Sequence, residues 1–311
     1  MRKISNTLSK SGTLFSIKST RKNGRHVFHI TWQSNPIDKQ AFDLLRTAIC
    51  EKRDYAPITN AKLADFSLEV DKINKQGHTV TVDQAIAIRS IVLKDKIISG
   101  HVRIDKLIKG IASKYTTQSI LDLSFAYDYP PLSLLRAIFL HLGINKQDLY
   151  EVFANRRPAS EVLTGRNLLQ YYTAEANDAE STFNQQQVAV IAAENELIVT
   201  QFFRKLGIGL VDQEQLVKTQ IELYGRAILT PDILFTDEVY INNVRVNWID
   251  YKDYIGTSIY FLRHSNIQQS AKYTREWGPG ALCYHRAFVV GLHISGSILL
   301  DARSLSLRLK C

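Results

Sequence analysis

The chain has 311 residues, 45% hydrophobic and 22% charged, the balance of a folded globular protein rather than a disordered or fibrous one. No apolar run nears the roughly 18 residues that span a bilayer, and no hydrophobic segment of a secretory signal opens the chain. Cys50, Cys283 and Cys311 lie too far apart for a zinc site or a disulfide framework, which points to a reducing compartment.

The net charge of +9 is uneven. Residues 1–165 carry 25 Lys/Arg against 15 Asp/Glu, and residues 166–311 carry 14 against 15. A basic half beside a near-neutral half suggests that one part grips a polyanion, nucleic acid first among them. Residues 1–35 read as a basic, Ser/Thr-rich arm with Arg2, Lys3, Lys10, Lys18, Arg21, Lys22 and Arg25 and no acid. An organelle transit peptide is the other reading of such a start.

Residues 36–180 read as an all-α domain. "NPIDKQAFDLLRTAI" offers Asn35 as N-cap and Pro36 at the first helical position. "VTVDQAIAIRSIVL" and "RIDKLIKGIASKY" repeat apolar residues at spacings of three and four. Helices over about 118–127 and 132–142 meet at Asp128-Tyr129-Pro130-Pro131, because a proline pushes its predecessor out of the helical region. Such a corner looks like a helix-turn-helix. An ordinary helical hairpin has the same pattern. Arg136 and His141 are the contacts its second helix offers, which suits phosphate grip better than base readout.

Residues 181–311 change texture. "VAVIAAENELIVTQFFRKLGI" predicts a helix ended by Gly207. "ILTPDILF" and "VYINNVRVNWIDYK" predict a hairpin with Asn242-Asn243 at a turn. A helix stopped by "GPG" at 278–280 and strands in "ALCYHRAFVVGL" and "GSILLDA" follow. The order implies an α/β core on a mixed sheet.

Within the strand ending in "WIDYK", alternate side chains share a face, which aligns Val244, Val246, Trp248, Asp250 and Lys252. An apolar face that turns abruptly charged must open on solvent or on a site. Asp232, at the start of the preceding strand, falls beside Asp250 in such a hairpin. Two adjoining carboxylates suit Mg²⁺ or Mn²⁺, and Lys252 can position water or stabilise phosphorane charge. Glu196, on a helix face shared with Val199 and Phe203, supplies a third acid. Glu194 is its rival. Asp250 and Lys252 could instead be a plain strand-end ion pair. Tyr273, Arg275 and Trp277 could line a nucleic-acid groove or belong to the core. His264, His285 and His293 lack metal-ligand spacing.

Together Glu196, Pro231-Asp232 and Asp250-x-Lys252 resemble the PD-(D/E)XK nuclease superfamily, in particular its archaeal Holliday-junction-resolvase-like branch. "TPD" at 230–232, "WIDYK" at 248–252 and "WGPGALCYHRAF" at 277–288, behind a helix-turn-helix half, look like the TPD-motif nucleases of the codanin-interacting nuclease family. The resemblance implies a restriction-endonuclease-like fold for the C-terminal domain. It implies metal ligation by Asp232, Asp250 and the main-chain carbonyl of Tyr251, support from Glu196 and catalytic assistance from Lys252. Asp250 stands where members of that family often have Glu, and Tyr251 and Asp253 have no counterpart in the pattern.

The expectation is therefore a metal-dependent endonuclease using Mg²⁺ or Mn²⁺ to hydrolyse phosphodiester bonds, in DNA before RNA. Its expected residence is nuclear, with the cytoplasm as a second compartment, and the resemblance adds a codanin-like protein partner. An RNA-processing nuclease and a catalytically inactive nuclease-fold scaffold are the alternatives.

Overall fold

In a computed structural model, residues 15–22, 25–50 and 53–306 are described. Arg2, Lys3 and Lys10 of the expected arm, and Cys311, lie outside them. The chain forms two units, one of residues 40–191 and one that joins the described part of residues 1–39 to residues 192–306.

The unit of residues 40–191 is helical: α1 (Lys39–Cys50), α2 (Asn60–Lys75), α3 (Val82–Tyr115), α4 (Ile120–Tyr127), α5 (Pro131–His141), α6 (Lys146–Phe153), α7 (Gly165–Ala176) and the opening turns of α8 (Thr182–Lys205). The α1 helix starts three residues later than its Asn-Pro signal suggests. Ile37 is drawn into extended backbone instead, donating its N–H to Phe288 O at 2.8 Å and accepting from Val290 N at 2.9 Å. The two periodic runs of the middle region fuse into the single 34-residue α3. Its Gly100 is no helix breaker. A β-carbon there would lie 2.9 Å from the Tyr129 ring, so glycine makes room for that side chain.

At the α4–α5 corner, Asp128 adopts the left-handed conformation (φ 48°) and Pro131 opens α5. The Asp128 carboxylate accepts from Tyr55 Oη at 2.5 Å and Lys96 Nζ at 2.7 Å. Beneath it, Ile111, Ile120, Leu123, Leu134, Leu135, Ile138 and Phe139 form a core that excludes solvent. This unit carries 18 Lys/Arg against 17 Asp/Glu, so the helical part is not the basic one. Residues 1–39 hold 8 basic side chains and one acid.

Those residues do not form a free arm where they are described. Strands β1 (Phe15–Lys22) and β2 (Arg25–Trp32) pair antiparallel, and β2 pairs in parallel with β5 (Glu238–Ile241), which turns back into β6 (Val244–Arg245). A second sheet runs β3 (Leu210–Asp212), β4 (Ile233–Phe235), β7 (Trp248–Lys252), β8 (Gly280–Tyr284), β9 (Ser297–Asp301) in that spatial order. Its β3–β4 and β4–β7 pairs are antiparallel, and the β7–β8 and β8–β9 pairs are parallel. Helices α9 (Gln213–Tyr224), α10 (Tyr260–Trp277) and the short α11 (Arg303–Ser306) complete the unit. The protein is thus mixed α/β, with a helical unit and two mixed sheets. The boundary between the units falls inside α8, after residue 191, later than the boundary at 180 that the sequence suggests.

The run "VYINNVRVNWIDYK" divides into three strands rather than one. Asn242 and Asn243 both take positive φ (51° and 65°), the requirement of a two-residue hairpin turn, and the turn joins β5 to β6. The chain then crosses to the other sheet, with Val246 buried and Asn247 O accepting from Phe235 N. Val244 therefore does not share a strand with Asp250.

Strands β7 and β8 are buried on both faces. On one side Ile249, Tyr251 and Cys283 meet Val199, Phe202 and Phe203 of α8 and Phe28, Ile30 and Trp32 of β2. On the other, Trp248, Leu282 and Tyr284 meet Tyr273 of α10 and Ile294. Tyr273 and the partly buried Trp277 are core packing here, and Arg275 points to solvent.

Candidate active site

The ladder between β4 and β7 pairs Ile233 with Ile249 and Leu234 with Trp248, so Asp232 falls opposite Asp250 one step beyond the last pair. Its carboxylate accepts from Tyr251 N at 2.5 Å through Oδ2 and from Gln213 Nε2 at 3.1 Å through Oδ1. Gln213 N also donates to Asp232 O at 3.1 Å. The first turn of α9 thus clamps the TPD segment against β7.

Asp250 is 3% exposed and Asp232 7%. Lys252 shares a face with Asp250, as period-two alternation requires, and their side chains form an ion pair. Gln269 of α10 ties the two together. It accepts from Lys252 Nζ at 2.8 Å, donates to Asp250 Oδ1 at 3.2 Å and touches Tyr273 Oη at 3.0 Å. Asp250 Oδ2 is the oxygen held by the Lys252 ammonium in that ion pair. Among the described residues it has no hydrogen-bond partner beyond that ammonium.

The electrostatics follow from that crowding. Burial, then the charges of Asp250 and Glu196, pushes the Asp232 carboxyl up to about 8. Burial also raises Asp250, against the pull of Lys252. Glu196 on α8 is half-buried, and burial and the charge of Asp250 raise its carboxyl. Burial works against the Lys252 cation, but the Asp250 carboxylate outweighs it and its pKa is raised. Glu194 is exposed. The structure therefore gathers Asp232, Asp250, Lys252 and Glu196 at one end of β7, with Glu196 rather than Glu194 the helix acid.

Three features of the site carry no sequence signature used above. Gln269 belongs to a polar stripe on the buried side of α10, with Asn266 2% exposed and Ser270 fully buried. Polar residues at spacings of three and four facing a core would have flagged it. Gln213 stands beside the capping-box residue Asp212 at the start of α9. Asp253 follows β7 and pairs with Arg286 at 3.3 Å, while Arg286 also donates to Asp253 O at 2.6 Å.

Beyond Arg286, the "WGPGALCYHRAF" motif supplies packing around β7 and β8. Gly278 (φ 83°) ends α10, and its carbonyl accepts from Trp248 Nε1 at 2.9 Å. Gly280 lies under the Trp248 indole. Cys283 and Tyr284 are core, and His285 packs edge-on against Tyr251.

The donor set suits a hard divalent cation. Its atoms are carboxylate oxygens of two buried aspartates, and burial, with the charges of Asp250 and Glu196, holds a proton on Asp232 near neutrality. Among the described residues no three His, Cys, Asp or Glu side chains converge as a closed cage. An ion would rest on Asp232 and Asp250 with water and substrate oxygens, the coordination Mg²⁺ ordinarily keeps.

Over residues 166–302 the chain matches a family described as a protein of unknown function with the TPD sequence motif. That span holds the whole candidate site. Among curated proteins, 115 residues are 25% identical to an uncharacterized protein of Acanthamoeba polyphaga mimivirus. The similarity covers 36% of this chain and 40% of the viral protein's length. No solved structure matches the chain. Among the described residues, no helix is long and apolar enough to cross a membrane.

Proposed function

We propose that the protein is a metal-dependent nuclease of the PD-(D/E)XK type, hydrolysing phosphodiester bonds in nucleic acid, DNA before RNA. One observation carries the reading. A buried aspartate from the TPD segment and a buried aspartate two residues from a lysine meet at the end of one strand, with a glutamate from the flanking helix beside them.

Asp232 and Asp250 would hold Mg²⁺ or Mn²⁺, which supplies charge neutralisation at the scissile phosphate and activation of water. The chain's own groups do the rest. Lys252 stays protonated and offers N–H donors to a phosphate oxygen as negative charge builds there, and the dry surroundings strengthen that interaction. Glu196, with its carboxyl raised, is a proton acceptor better matched to neutral pH than an ordinary glutamate. Gln269 fixes the distance between Asp250 and Lys252. Residence in the nucleus and a codanin-like protein partner belong to this proposal through the resemblance alone.

A second reading has its own observation. Lys252 already neutralises Asp250 in an ion pair, as in a nuclease fold kept for binding. Labelled single-stranded, duplex and branched DNA, and RNA, incubated in Mg²⁺, Mn²⁺ or EDTA separate the two. Metal-dependent cutting by the wild type that Asp250→Asn and Lys252→Ala both lose supports the nuclease. Binding without cutting, equal in all three proteins, favours the scaffold.

A further inference from the structure

The solvent face of the four-stranded sheet carries a row of side chains that the cleavage reading does not use. Lys18 of β1 pairs in register with His29 of β2, His29 with Tyr240 of β5, and Tyr240 with Arg245 of β6. Side chains of directly paired residues stand on one face. The row therefore runs cation, aromatic, aromatic, cation across four strands. The rings of His29 and Tyr240 are stacked, 5.0 Å between centroids and 10° from parallel. Lys18, His29 and Arg245 are exposed and Tyr240 is half-buried, with Ser16, Thr20 and Thr31 exposed on the same face and Val27 buried at its edge. Its one acid among these strands, Glu238, is engaged by Tyr240 Oη at 2.7 Å and Arg245 at 3.8 Å. The opposite face, with Phe28, Ile30, Trp32, Val239 and Ile241, is the core.

Stability does not require this arrangement. The His29 ring is exposed and the Tyr240 ring half-buried, so their stacking removes little apolar area from water, and the exposed Lys18 beside them adds nothing to the core. Stacked rings bordered by lysine and arginine on an open sheet are how single-stranded nucleic acid is held: bases stack on π-faces while cations meet phosphates. The charge of the chain agrees, because the segment that supplies β1 and β2 holds 8 basic residues and one acid.

We propose that the Lys18–His29–Tyr240–Arg245 row is a binding platform for single-stranded nucleic acid, in the same unit as the carboxylate site. The inference deepens the nuclease reading, since it supplies the unpaired strand that the site would cut. Binding of a fluorescein-labelled oligothymidylate of about 12 nucleotides, followed by fluorescence anisotropy on the full chain in EDTA, tests it with cleavage switched off. His29→Ala and Tyr240→Ala each weaken binding about tenfold or more. Lys18→Glu and Arg245→Glu flatten the dependence of log affinity on log salt by at least about 0.7 each. Melting curves confirm that each variant is folded, and the lysine variant decides the matter if an aromatic one is not. No binding by the wild type, or wild-type affinity and salt slope in all four variants, overturns the platform. Asp250→Asn run alongside separates the two ideas: loss of cutting with unchanged anisotropy belongs to the carboxylate site alone, and failure of the nuclease reading leaves a positive anisotropy result standing.

Discussion

The Trp248 indole lies on the bare backbone of Gly280, where a β-carbon would sit 2.1 Å from the ring. Trp248 is fully buried and its Nε1 is committed to Gly278 O, so the ring cannot swing aside. Overpacking a filled core costs 1–3 kcal/mol and occasionally more. Gly280→Ala should lie at the top of that range, about 3 kcal/mol by urea unfolding. Because Trp248 precedes Asp250 on the same face of β7, the substitution should also depress cleavage in whatever protein remains folded. An unchanged unfolding midpoint would mean that the indole has room the structure does not give it.

Part of the site is legible in the sequence and part is not. Asp250 and Lys252 follow from alternation along a strand, and Asp232 from the pairing of that strand with its neighbour. Both are local rules. Glu196 could be placed on the sheet-facing side of its helix because Val199 and Phe203 recur at helical spacing. Gln269 could not be tied to Asp250 by any local rule, since 19 residues separate them and α10 has to fold over β7 first. The β1–β2 hairpin was missed for a different reason. Phe28, Ile30 and Trp32 alternate with polar residues as a strand requires, but seven basic residues in the first 37 give the same segment the composition of an arm. The charge told of a surface, not of an unfolded segment. The basic excess of residues 1–165 likewise lies in the segment that supplies β1 and β2, and the helical unit is nearly neutral.

Gln269 bridges the two charged groups of the site, so its removal should show in activity before stability. Partners that orient a ligand shell typically cost 10- to 100-fold in metal affinity or activity when replaced. Gln269→Ala should therefore lower the cleavage rate about 10- to 100-fold. Gln269→Glu should be worse, because it places another carboxylate beside Asp250. Titration with Mn²⁺ tells a positioning role from a structural one: the alanine variant needs more metal for half-maximal activity. Equal metal dependence would leave Gln269 as core packing.

The two glutamates at the start of the α8 segment facing the sheet should separate cleanly. Glu196 is half-buried and its carboxyl is raised by burial and by Asp250, whereas Glu194 is exposed. Loss of a general base commonly costs 10²- to 10⁴-fold. Glu196→Gln should reduce cleavage about 100-fold, and Glu194→Gln should leave it within about twofold. In EDTA, Glu196→Gln should also melt slightly higher than wild type, since it deletes a charge that Asp250 repels. The reverse ranking of the two variants would put the helix acid at position 194.

Proton linkage offers a test that needs no substrate. In the unfolded chain Asp232 releases its proton near the ordinary aspartate value of 3.8, whereas in the fold burial and the charges of Asp250 and Glu196 hold it to about 8. The folded state therefore binds more protons between those limits, and stability falls as pH rises through that window. Melting temperatures in EDTA should decline from about pH 5 to about pH 8, and Asp232→Asn should flatten the decline. A divalent ion on the two aspartates reverses the sense. It displaces the proton and neutralises the repulsion, so the stabilisation by Mn²⁺ should grow with pH across the same interval. The wild type should gain most above pH 7, and Asp232→Asn and Asp250→Asn should gain little at any pH. Stabilisation by Mn²⁺ that is equal at pH 5 and pH 8, or that survives both substitutions, would place the metal elsewhere on the protein.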